Sequence, residues 1–142
     1  MNTRIVGRPE ADEIPSHYAG YIKRVPETDP VMVCASQIEE TAALVRGLSD
    51  SDAMYRYGRG KWSIKEVIGH LADTERIMSY RALRIARGDT TPLPSFDENA
   101  YVPVAKFDAR SLADLVGELR TVRAAPLAVV RTFDEDAWRR RG

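Results

Sequence analysis

The 142-residue sequence has little of what catalytic and export signatures usually require. It holds one cysteine, Cys34, and two histidines, His17 and His70. A single thiol excludes an intramolecular disulfide and any zinc site built from several cysteines. Net charge is absent too, with lysine plus arginine and aspartate plus glutamate at 21 each. No overall field therefore recommends nucleic acid or an acidic membrane surface as partner. Apolar runs are short and interrupted, so nothing reads as spanning a bilayer. The first 30 residues carry Glu10, Asp12 and Glu13 and lack an apolar signal segment, which makes the cytoplasm the expected location. No segment alternates with period two, and no repeat or low-complexity tract appears.

What is present fits one globular domain. Hydrophobic residues make up 44% and charged residues 30%, close to globular norms. A chain of this size buries roughly 70% of its unfolded surface. Residues 1–29 hold Pro9, Pro15 and Pro26 with little helical periodicity and read as an extended arm. Tyr18, Tyr21, Ile22 and Val25 suggest that this arm packs on the domain of residues 30–142.

Three long helices follow from spacing and caps. The first runs from about Pro30 to Leu48, with Asp29 as N-cap and Pro30 as first residue. Its stripe contains Cys34, Ile38, Ala42 and Val45. Cys34 reads there as a small core hydrophobe, with a reactive thiol as the alternative. The second opens on Ser63-Ile64-Lys65-Glu66, a capping box, and Gly88 supplies its stop. Thr90 to Val104, with three prolines, reads as a long ordered loop. Ser111 caps the third helix, in which Pro126 should bend or interrupt the pattern. Asp134 to Asp136 resemble the cap of a short final turn. The class is all-α, and three such helices can form an antiparallel bundle.

Some residues break the pattern. His17 reads as a surface or arm-packing residue. His70 lies beside the apolar stripe of the second helix with Thr74, Ile77 and Arg81 on the same edge. A lone helical histidine is either structural or a ligand, and one imidazole cannot hold a catalytic zinc. Asp73 and Glu66 flank His70 but tend toward the solvent side. Glu75 and Arg123 each interrupt an apolar face. Either they pair inside the bundle, or each snorkels at its edge. Arg139 to Arg141 form a basic patch or a solvated corner.

Gly60-Lys61-Trp62-Ser63-Ile64-Lys65-Glu66-Val67-Ile68-Gly69-His70-Leu71-Ala72-Asp73-Thr74-Glu75 resembles the signature of the DinB-like family. That family is grouped with metal-dependent hydrolases and bacterial thiol S-transferases. The likeness continues through Tyr80-Arg81-Ala82-Leu83, Pro92 to Asp97 and Ala100-Tyr101-Val102. It implies an up-down four-helix bundle with a divalent metal, nickel or zinc, held by three histidines. One of these matches His70; the other two belong, four residues apart, to a last helix. The expectation is a bundle with that helix missing, either as a fragment or as a member that has lost its metal, and without a stably bound ion. The resemblance also implies a small-molecule or thiol substrate, Asp97 and Tyr101 near the entrance, and homodimers as a common state. The rival expectation is a non-catalytic helical binding or oligomerisation module.

Overall fold

The structure is a computed structural model describing residues 7–26 and 29–142; residues 1–6 and 27–28 of the expected arm lie outside the described residues. Regular structure among the described residues is entirely helical: α1 (Ala19–Ile22), α2 (Pro30–Val45), α3 (Ile64–Ala86), α4 (Glu98–Ala105), α5 (Leu112–Val130) and α6 (Glu135–Arg139). Short 3-10 turns precede α1, α3 and α5. No helix among the described residues is long and apolar enough to cross a membrane.

Helix starts follow local chemistry. Asp29 Oδ1 accepts from Val31 N at 2.8 Å, and Pro30, which has no N–H to leave unpaired, begins α2. The helix ends at Val45, short of Leu48, and Gly47 turns the chain at φ +87°. The α3 box is complete: Ser63 Oγ accepts from Glu66 N at 3.0 Å, while Glu66 Oε2 accepts from Ser63 N at 2.8 Å. Ser111 caps α5 and Asp134 caps α6 in the same manner.

Two expectations give way. Thr90 to Val104 is not loop throughout, because Asp97 caps the eight-residue α4 and Val102 is buried beneath it. Pro103 cannot donate to Asn99 C=O, and burial of Val102 holds the short helix despite that loss. Pro126 lies inside α5, which continues past it to Val130, so of the two outcomes expected there, bend or interruption, interruption does not occur. The arm is less extended than expected, with helical turns over Ser16–Tyr18 and Ala19–Ile22. Ile22 and Tyr18 are half-buried, whereas Tyr21 and Val25 are exposed.

Cross-helix pairs define the topology. Asp50 accepts from Leu112 N at 2.6 Å and meets Lys65 Nζ at 3.2 Å, joining the starts of α3 and α5. Arg76 pairs with Glu118 further along both helices. Ala86, the last residue of α3, and Phe133, just beyond α5, share a small cluster. Positions advance together, so α3 and α5 run parallel, and the connection through α4 carries the chain back between them. Arg120 meets Glu39 while Arg123 reaches Cys34, so α2 runs antiparallel to α5. Strict alternation thus fails at one junction, because a connection of 25 residues (87–111) can recross the bundle.

The main core lies where α5 packs on α3 and α2. It contains Ala42, Ile68, Ala72, Val102, Phe107, Leu112, Leu115, Val116 and Leu119. Direct contact between α2 and α3 is slight by comparison. Their free sides expose large apolar groups: Leu44 at 83%, Val67 at 41%, Leu71 at 39% and Met78 at 37%.

Candidate functional site

Local packing fixes where His70 sits. Ser63, fully buried, donates to Asp108 Oδ1 at 2.5 Å, and Arg56 joins Glu66 at 2.5 Å and Asp108 at 2.6 Å. This network clamps the first turn of α3 to the 3-10 turn Phe107–Ala109. It also occupies Glu66 as a cap, so that carboxylate is no ligand candidate beside His70.

His70 lies two residues beyond the buried Ile68, about 200° around the helix axis and so away from α5. Its half-buried ring packs against Trp62, with centroids 4.8 Å apart. Thr74 Oγ1 approaches both ring nitrogens at 3.4 Å. The imidazole therefore rests between an indole and a hydroxyl on the open side of the bundle.

Asp73 is half-buried, with Arg76 3.6 Å away. Burial raises its pKa, the nearby Arg76 opposing that rise. Asp97 is taken up as the cap of α4, with Asn99 N at 2.9 Å from its Oδ1. No group of three His, Cys, Asp or Glu side chains among the described residues is arranged to hold a metal ion. Among the described residues the donors at His70 fall short of a three-ligand set for a divalent ion: one imidazole, with the half-buried Asp73 three residues on.

The two charges that interrupt apolar faces do meet. Arg123 Nε lies 2.8 Å from Glu75 Oε1, with side chains 14% and 19% exposed. The Nε–H is not aimed at the carboxylate, so this is a close ion pair rather than a hydrogen bond. Arg123 Nη1 donates to Cys34 C=O at 2.9 Å and to Gln37 Oε1 at 3.3 Å. One guanidinium thereby touches α2, α3 and α5. Cys34 is half-buried, and burial pushes its thiol pKa up, which suits a packing group better than a nucleophile.

The terminal arginines are engaged rather than free. Arg140 donates to Ala86 C=O at 2.5 Å, and Arg141 pairs with Asp12 at 3.1 Å and Glu13 at 3.0 Å. They tie α6 to α3 and the arm to the bundle. His17 is exposed, its ring 4.2 Å from that of Tyr18.

A hollow of about 290 Å³ lies under residues 93–96, lined by Ile77, Tyr80, Arg81, Pro94, Phe96 and Tyr101 among others. Tyr101 thus borders this recess, which His70 does not line. Phe96 and the state of Arg81 were not anticipated. One signal was available: positions 77, 78, 84 and 85, three and four residues from Arg81, carry no acid to pair it.

Comparisons with known proteins agree with this architecture. The family model described as the DinB superfamily matches residues 35–142. Over 58 residues the chain is 33% identical to a protein of Oceanobacillus iheyensis named "Putative metal-dependent hydrolase OB0413", covering 40% of this chain and 33% of that protein. The chain thus spans about a third of the length of this curated relative. YfiT from Bacillus subtilis, described as "a probable metal-dependent hydrolase with an unusual four-helix bundle topology", is similar with a TM-score of 0.70 at 20% identity. That match covers 78% of this chain and 63% of YfiT. It speaks to the fold alone.

Proposed function

Because this chain belongs to the DinB superfamily, we propose that it is the scaffold part of a metal-dependent, hydrolase-type helical bundle. In that role it contributes one imidazole, His70, and does not retain a divalent ion by itself. One observation carries this reading: His70 faces the open side of α3, where Val67, Leu71 and Met78 are exposed, and among the described residues no three His, Cys, Asp or Glu side chains gather to hold an ion. In the DinB-like pattern the remaining ligands are two histidines four apart on a further helix; the 142 residues hold only His17 besides His70. The ion is nickel or zinc, and the substrate is a small molecule or a thiol, acted on by hydrolysis or thiol transfer.

Metal measurements on the 142-residue chain test the proposal. After incubation with Ni²⁺ or Zn²⁺ and gel filtration, the chain should carry well under one ion. In open titration Ni²⁺ should quench Trp62 weakly, because that indole lies 4.8 Å from His70. His70→Ala should abolish this quenching and leave that of Trp138 unchanged. Stoichiometric retention by the chain, or quenching indifferent to His70→Ala, overturns the reading.

The exposed apolar faces of α2 and α3 favour a second reading, a non-catalytic binding or oligomerisation module. In that case His70→Ala leaves Ni²⁺ quenching and every other property unchanged apart from a small loss of stability.

A further inference from the structure

The hollow under residues 93–96 has the chemistry of a binding site. Its walls are Phe96 and Tyr101, with ring centroids 5.7 Å apart, and the side chains of Ile77, Tyr80 and Pro94. Its volume, about 290 Å³, is roughly twice that of a 150 Å³ apolar cavity that takes benzene. A molecule of about ten non-hydrogen atoms matches that size.

Charge selects the kind of molecule. Three arginines of α3 stand near this surface. Arg76 is neutralised by Glu118 at 2.7 Å, and Arg84 by Asp89 at 2.6 Å. Arg81 has no carboxylate partner among the described residues. Its Nη2 donates to Pro94 C=O at 2.7 Å, and its guanidinium carbon lies 5.7 Å from the centre of the Phe96 ring. Arg81 is half-buried as a residue, and the loop it tethers through Pro94 C=O holds its uncompensated guanidinium in place. A guanidinium so fixed keeps further N–H donors for a planar anion.

We propose that this hollow binds a small organic carboxylate with an aromatic or compact apolar body, its anionic group pairing with Arg81. The body lies against Phe96 and Tyr101. Arg81 and Ile77 share the edge of α3 that carries His70, eleven and seven residues further on, or about 16 Å and 10 Å at 1.5 Å per residue. Binding in the hollow does not depend on the function proposed above.

The test uses 3-phenylpropionate and its neutral counterpart 3-phenylpropan-1-ol, titrated into the 142-residue chain in EDTA and followed by amide chemical shifts. The acid should bind saturably with Kd below about 5 mM, shifting Arg81, Phe96 and Tyr101, and at least tenfold more tightly than the alcohol. Arg81→Gln should weaken the acid at least tenfold and leave the alcohol within twofold. Phe96→Ala should weaken both. Equal affinity of the wild type for acid and alcohol, absence of saturation, or shifts confined elsewhere overturns the proposal. The comparison of the two probes on the wild type decides the matter even if Arg81→Gln does not fold. No metal enters this experiment, so its failure leaves the His70 reading standing, and failure of the Ni²⁺ titration leaves the hollow standing.

Discussion

Replacing Arg123 with methionine removes a cation that touches all three long helices. At 2.8 Å from Glu75, the gross Coulomb attraction is about 6 kcal/mol at an effective dielectric of 20. Desolvation of both groups cancels much of that. Breaking a fully buried pair costs about 3–5 kcal/mol; here the side chains keep 14% and 19% of their exposure, so water softens the loss to roughly 2–4 kcal/mol. The loss includes the hydrogen bonds to Cys34 C=O and Gln37. At this chain length each kcal/mol moves Tm by about 3 °C, so Arg123→Met should melt roughly 10 °C below wild type. Glu75→Leu alone leaves Arg123 its two hydrogen bonds to α2 and should cost less. The double variant should recover at least about 1.5 kcal/mol relative to the sum of the singles. Urea unfolding followed by circular dichroism supplies all four corners of the cycle. Additivity within about 0.5 kcal/mol would refute the reasoning, since it would mean that neither charge depends on the other.

Other consequences are equally direct. A Cβ on Gly69 would lie 2.3–2.5 Å from three ring atoms of the buried Phe107. Gly69→Ala should therefore lose stability, overpacking of about 1–3 kcal/mol outweighing a helix-propensity gain of about 1 kcal/mol. Gly117→Ala in α5, with open space around the new methyl, should gain about 1 kcal/mol in the same denaturation assay; the reverse order would refute the packing at Gly69. Asp89 is held down to about 2 by the Thr91 backbone N–H, the Thr91 side chain and Arg84, in that order. The carboxylate form is favoured by the fold, so its stabilising effect is present above pH 3.8 and is lost as pH falls toward 2. Asp89→Asn should lower stability at pH 7 and match wild type at the acid end; a deficit independent of pH would contradict this.

Much of the fold was legible because its signals are short-range. Ser63 and Glu66 satisfy each other's backbone within one turn, and Asp29, Ser111 and Asp134 act over two or three residues. The meeting of Glu75 with Arg123 was legible as one of two outcomes, since a charge within an apolar face needs either a partner or a route to water. The helix at Glu98–Ala105 was missed because Pro103 within it, and Pro92 and Pro94 before it, argue for a loop, and burial of Val102 offsets the loss at Pro103. Arg81 was placed on the edge of His70, but its lack of an acidic partner became visible only once the acids that neutralise Arg76 and Arg84 were located.

By itself, then, the sequence determined where the three long helices begin, that the class is all-α, and that the second long helix carries one imidazole. Those properties depend on neighbours within about four residues or on composition. The parallel course of α3 and α5, the exposed sides of α2 and α3, and the recess between Arg81 and Phe96 were decided only by the tertiary structure. Each depends on which distant faces bury against one another, and cap chemistry and helical period carry no information about that choice.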